Sequence, residues 1–461
     1  MSLPFDVPPP RDSNVRTRKL TLRIVTPTLG GGVTTRHVDK VDFIRVPTLR
    51  GHLRFWWRAT AADAGSAEEL YARESEIWGG TGGHTGSDSP PAVTKSTVRV
   101  SVRVPDQPAL KDIDGEDVGW TAPGAYALWP ARKQRDGTLP AERRRPGLEF
   151  QLTLKYPARL DEEIQRTLAA WICFGGYGSR PRRGLGKIAP ACDESRKLVP
   201  VAAPKTEDEL RRLFGPDAFV PAENLTDWPR LRGAQIAVGS PTANAANAWT
   251  TALGWLNEFR QQGPSSGKLG DHDPNFARRR GAGNRPSISN WPEADKVRQL
   301  SSTPKSGWSH PPQHNAAPVW PRAAFGLPIL AQFQTQGRNG DRLVEPSNFE
   351  LNWEGPDGRQ DRLASPLIVV GMPLADDKFV PIALWLGRGY PEAGQVIAIQ
   401  NGYALRGSAA AFDELVAPGD SAKFNPLAIG QAAPSGHRLR TAFFEWLNTK
   451  HSSVRMLGKS E

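Results

Sequence analysis

Gly175-Gly176-Tyr177-Gly178-Ser179-Arg180-Pro181-Arg182-Arg183-Gly184-Leu185-Gly186-Lys187 packs five glycines and four cations with no acid. Glycine lets a backbone approach a ligand closely and take positive φ, and arginine or lysine holds phosphate oxygens. The segment reads as an anion cradle, the alternative being a flexible turn with solvated arginines. It is not a Walker A loop, because Pro181 stands at the first glycine position and Ile188 follows Gly186-Lys187. A Rossmann fingerprint follows a strand and opens a helix, whereas this loop follows a helical run.

That run opens at Asp161 and spaces Leu160, Ile164, Leu168, Trp171 and Ile172 along one apolar face. Upstream, residues 18–26 alternate apolar and polar as a half-buried strand would. Pro47 opens a second helical stretch through Arg58. Strands are expected at 93–104 and 148–156, joined by a long loop that holds Arg143-Arg144-Arg145, and a last strand begins at Leu185–Ala189. The order strand, helix, strand, strand, helix, strand is the split βαβ, ferredoxin-like pattern shared by RNA-recognition motifs.

From about residue 193 the texture turns to Pro, Ala and charge, with an amphipathic helix at 246–260. Residues 263–318, which hold Arg278-Arg279-Arg280 and Arg285, read as a long basic loop that orders on binding. Residues 324–333, 363–370 and 379–385 read as strands of a second α+β unit. The expected division is 14–200, 201–318 as a connecting region partly belonging to the second unit, and 319–461.

The chain has 461 residues, a net charge of +11 and a pI near 9.8, a balance that suits a polyanionic partner. Cys173 and Cys192 are too few for a disulfide framework and lack zinc spacing. No apolar run suggests a signal peptide or a membrane span, so a cytoplasmic protein is expected.

Arg50, Arg54 and Arg58 recur every fourth residue and so share one helix face, with Leu49, Leu53, Trp56 and Trp57 supplying the buried side. An unrelieved stripe asks for an anion opposite it or for carboxylates elsewhere in the fold. In a ferredoxin-like unit Arg45, this stripe and the 175–187 loop are expected on one surface that tracks phosphates without reading bases, with Tyr177 or Trp57 as stacking platforms. The base-reading octapeptide of RNA-recognition motifs is absent.

Catalytic signals are poor. His310 and His314 bracket two prolines that forbid a helical metal pair. His37 and His52 flank the expected RNA surface and suit a general base in ribose 2′-OH cleavage, while Asp39 and Asp42 make a weak metal site. No catalytic residue, metal or cofactor is expected.

Arg50-Gly51-His52-Leu53-Arg54-Phe55-Trp56-Trp57-Arg58, the loop Gly175 to Gly186, Asn290-Trp291-Pro292-Glu293-Ala294-Asp295 and Pro321-Arg322-Ala323-Ala324-Phe325-Gly326-Leu327-Pro328-Ile329, taken in that order, resemble the first RAMP subunits of type III-B (Cmr) CRISPR effector complexes. The resemblance implies two ferredoxin-like RAMP domains and a place toward the 3′ end of the guide RNA. It also implies contacts with guide RNA, target RNA and other RAMP subunits, with target cleavage performed elsewhere. Carried over, Arg45, Arg50, Arg54, Trp57, Arg58, Gly175, Gly176, Tyr177, Gly178, Arg180, Arg182, Arg183, Gly184, Gly186 and Lys187 would contact RNA or a partner. Two other readings stay open: a metal-independent endoribonuclease that matures CRISPR RNA, and a structural adaptor without RNA contact.

Overall fold

A computed structural model describes residues 14–30, 33–61, 65–80, 94–105, 112–262 apart from 120, 135, 223 and 224, 293–301, 308, 309, 312, 317–355 apart from 334, 336–339 and 341, 358–389 apart from 361, 395–412 and 439–458. The arginines expected at 278–285, most of the 263–318 segment, His310 and His314 lie outside the described residues.

The first unit runs β1 (Val15–Ile24), α1 (Val46–Thr60), α2 (Ala67–Trp78), β2 (Arg99–Arg103), β3 (Glu149–Pro157), α3 (Asp161–Phe174) and β4 (Ile188–Pro190). Its sheet has the order β2-β3-β1-β4 with every neighbour antiparallel. That is the order expected of a βαββαβ chain. Leu20, Leu22, Ile24, Phe150, Leu152 and Leu154 point inward at alternate positions and pack under α1 and α3. Helix α2 is an addition to the expected pattern. Ser66 caps it by accepting from the Glu69 amide at 3.1 Å, and Glu68 and Glu69 sit in its first turn, where the helix dipole favours acids.

The second unit starts well before residue 319. It comprises β5 (Arg230–Val238), α4 (Ala245–Gln262), β6 (Leu367–Pro373), β7 (Phe379–Gly387), α5 (Leu439–Lys450) and β8 (Arg455–Leu457). The sheet order β6-β7-β5-β8, again antiparallel throughout, repeats that of the first unit. Both faces of this sheet are covered. Ile368, Val370, Met372, Val380, Ile382 and Leu384 join the core of α1 and α3, while Leu367, Val369, Ala383 and Trp385 face α4 and α5. Burial on both sides explains why β6 and β7 are nearly continuous apolar runs. The layers are therefore first sheet, α1 with α3, second sheet, α4 with α5; among the described residues nothing covers the outer face of β1, β2 and β3, whereas Ala189 of β4 is buried with Ala248 and Phe379.

A third sheet is inserted between α4 and β6 and again after β7. It gathers Ile329–Ala331, Phe349–Gly355, Gly358–Gln360, Gln395–Gln400 and Tyr403–Ala404 around Val297, Trp320 and Trp353. The strand expected over 324–333 is thus a single turn, Pro321–Phe325, followed by the short Ile329–Ala331. Here two of the distant sequence motifs meet: buried Glu293 accepts from the Arg322 amide and from its Nε, both at 3.1 Å. Among the described residues no helix is long and apolar enough to cross a membrane.

Candidate nucleic-acid interface

The glycine-rich loop is built by backbone packing on backbone. The Tyr177 amide donates to the Gly186 carbonyl, Gly186 to Pro27 and Ser179 to Leu29, each at 2.8 Å. A Cβ on Gly186, at φ +61°, would lie 1.8 Å from the Tyr177 carbonyl oxygen, so only glycine fits. One on Gly184 would lie 2.2 Å from Trp249 of α4. Gly175, Gly176, Gly184 and Gly186 are all buried, and Gly178 is half-buried. The glycines bring chain segments together, and no ligand is needed to account for them.

Several expected contact residues are consumed by the fold. Lys187 is 1% exposed; its ammonium reaches the carbonyls of Ile172 at 2.5 Å, Cys173 at 2.9 Å and Gly175 at 3.0 Å. These are the orphan carbonyls of the α3 C-terminus. Burial pushes Lys187 down to about 7. Tyr177 is buried against His52, and its hydroxyl accepts from the Arg45 amide at 2.8 Å. Trp57 is 1% exposed and donates to Glu163 at 3.1 Å, so neither aromatic is a stacking platform.

The arginine stripe and the loop lie on opposite flanks of α1 rather than on one surface. His52, Phe55 and Trp56 face the loop, whereas Arg50, Arg54 and Arg58 face α2. There Glu74, 3% exposed, answers the stripe: its Oε1 accepts from Arg54 Nε at 2.5 Å and Arg58 Nη1 at 2.6 Å. Arg50 donates to the Trp78 carbonyl, and burial followed by the charge of Arg54 lowers its pKa.

Two cationic regions remain open. The first is the tip of the glycine-rich loop, at the seam between the units. Arg180 is exposed and donates to the Ala127 carbonyl at 3.0 Å, and Arg182 is half-buried with its guanidinium 5.2 Å from the Phe55 ring centre. Arg183 is buried and spans the seam, donating to the Leu367 carbonyl at 2.7 Å and to Ser365 Oγ at 3.2 Å. Among the described residues none of these three guanidiniums has a carboxylate partner. Burial and neighbouring Arg388 hold Arg182 at about 10, and burial holds Arg183 at about 9, so both stay charged at neutral pH. The second region is a groove of about 790 Å³ between α1, α2 and β2, lined by Arg50, Arg54, Lys95 and Arg99 with Tyr71, which is 40% exposed, on its wall. Exposed Lys95 and Arg99 beside an accessible ring suit a single-stranded nucleic acid, while half-buried Arg50 and Arg54 are held by Trp78 and Glu74. Lys95, Arg99 and Tyr71 escape a reading of the sequence, because nothing in it places α2 beside β2.

His37 lies 3.3 Å from Glu142, and His52 is pushed down to about 4 by burial, its Nε2 closed off and unpartnered. Asp39 caps its own turn, accepting from the amides of Val41 and Asp42.

A family model described as the RAMP superfamily matches residues 21–189, the span of the first unit from β1 to β4. These residues are a RAMP superfamily domain. The chain is 24% identical over 250 residues to CRISPR system Cmr subunit Cmr1-1 of Pyrococcus furiosus, covering 50% of this chain and 67% of that one. Similar solved structures include apo Cmr1 from Pyrococcus furiosus (15% identity, 86% and 93% coverage, TM-score 0.43). Another is a chain of type III-B Cmr-beta bound to cognate target RNA (9% identity, 82% and 97% coverage, TM-score 0.37).

Proposed function

We propose that this RAMP protein is a non-catalytic, cytoplasmic, RNA-binding subunit of a type III-B CRISPR effector complex. It is built from two ferredoxin-like RAMP domains, a reading supported by the repeated strand order of the two sheets. It contacts guide RNA toward its 3′ end, or captured target RNA, and docks on neighbouring RAMP subunits. The observation that carries this is the pair of loop guanidiniums, Arg180 and Arg182, held at the seam beside buried Arg183 without a carboxylate among the described residues. Fixed, partly dehydrated cations without acids are what a phosphate backbone needs. The groove at Arg50 and Lys95 is a second contact on the same chain.

The endoribonuclease reading requires a histidine with access to a ribose. His52 has its Nε2 enclosed, whereas His37 is exposed with its Nδ1 3.3 Å from Glu142, so only His37 has that access. The test is affinity purification from cells, with sequencing of the bound RNA ends and identification of co-purifying proteins, alongside incubation with repeat RNA in EDTA. Guide RNAs with a common 3′ boundary are expected, together with intact repeat RNA. Defined cleavage lost on His37→Ala or His52→Ala would overturn the non-catalytic assignment, and absence of RNA from the assembled complex would favour a structural adaptor.

A further inference from the structure

Among the described residues β1, β2 and β3 of the first sheet are covered on one face only, and their other face is cationic. The strand register places Arg99 of β2 directly opposite Lys155 of β3, which in turn stands opposite Thr17 of β1. The next rows bring Ser101, Thr153 and Lys19 together, then Arg103, Gln151 and Thr21, then Glu149 with Arg23. Arg99, Arg103, Lys155 and Lys19 are exposed, and none of them has an ion-pair partner among the described residues. Like charges directly opposite on neighbouring strands destabilise a sheet, so the Arg99–Lys155 pair is retained against its own cost. Glu149 is the one acid on these rows.

Arg99 also lines the groove beside α1 and α2, so the two basic surfaces are continuous. From the groove the cations run diagonally, Lys95 to Arg99, Lys155, Lys19 and Arg23. On this face the cations of one strand, Arg99 with Arg103 and Lys19 with Arg23, stand four residues and so about 13.6 Å apart, a spacing that meets roughly every second phosphate of an extended strand. Thr, Ser and Gln fill the spaces between, and apolar side chains enter only at the ends, Val15 with Pro157 and Ala189. A protein-docking face has an apolar, aromatic-rich centre depleted in lysine, which this face lacks. It also lacks the aromatic side chains with which RNA-recognition motifs stack bases.

We propose that the open face of the first sheet continues the path of a single-stranded RNA leaving the groove, holding it by phosphates alone and without base preference. The proposal rests on the RNA-binding reading above. Its test uses the chain bearing K19Q/R23Q/K155Q, which leaves Arg99 and the groove intact. Two labelled single-stranded RNAs are titrated by anisotropy over a salt series, one spanning only the groove and one long enough to cross the sheet.

For the long RNA the log–log salt slope should fall by about 2, at ~0.7 per lost phosphate contact. The short RNA should bind as before, and homopolymers of different base should lose affinity equally. An unchanged slope for the long RNA, with wild-type binding intact, overturns the path across the sheet and spares the RNA-binding reading. Loss of co-assembly with neighbouring subunits at an unchanged slope also overturns it, in favour of a protein partner. Failure of the wild-type chain to bind either RNA removes the larger reading.

Discussion

The ammonium of Lys187 stands 2.9 Å from the carbonyl oxygen of Cys173, inside the C-terminal turn of α3, and so fastens the glycine-rich loop to the helix that precedes it. Three N–H donors meet three carbonyl acceptors there, with Ile172 and Gly175 supplying the other two. The negative end of the helix dipole favours a cation at this place, while burial opposes the charge. Lys187→Met is expected to leave three carbonyls without donors and to cost about 2–4 kcal/mol of stability in denaturant unfolding.

The same residue gives a pH signature of definite sign. Its folded pKa is lowered to about 7 from the ordinary 10.5, so between those values the unfolded chain binds more protons than the folded one. Stability contributed at this position therefore rises as pH goes from about 7 toward 10 and is lost as pH falls through the folded value. The difference in melting temperature between wild type and Lys187→Met should widen over that range. A constant difference would contradict the burial of the charge.

Gly186 and Gly51 make a matched pair for testing what the glycines do. Gly186→Ala forces a Cβ onto the Tyr177 carbonyl at positive φ and should cost more than about 2 kcal/mol, measured by chemical denaturation. Gly51 lies inside α1, where an added Cβ would meet nothing within 4 Å, and Gly51→Ala should stabilise by about 0.5–1 kcal/mol.

Glu74 is shared by Arg54 and Arg58, so its neutralisation releases two cations into the groove. Glu74→Gln should lower stability by roughly 1–2 kcal/mol, because buried Glu74 is lost while its arginine partners stay about a third exposed to water. The same variant should steepen the salt dependence of RNA binding, since the groove becomes more positive.

Much of the first unit is legible in sequence for a physical reason: a sheet open on one side leaves the alternation of β1 and β3 visible, and α3 presents one apolar face. Strand β5, Arg230 to Val238, is not, because it lies between two helical layers and shows no alternation. The loop's glycines and cations stand out in the sequence, but sequence does not say whether glycine serves a ligand or another stretch of backbone. That depends on Tyr177, Pro27, Leu29 and Trp249, which the chain brings together only on folding. The stripe of Arg50, Arg54 and Arg58 looks unrelieved in the sequence because its partner, Glu74, sits on a helix outside the βαββαβ pattern.

RNA binding by the loop tip at the seam, through Arg180 and Arg182, is tested most directly by the salt dependence of RNA affinity for the chain and for R180A/R182A. Arg183 is left in place because it joins the two units through Leu367 and Ser365. Weaker binding is expected, with a log–log slope shallower by about 1.4, two contacts at ~0.7 each, and an unchanged melting temperature. Parallel lines for the two proteins would contradict RNA binding at this place.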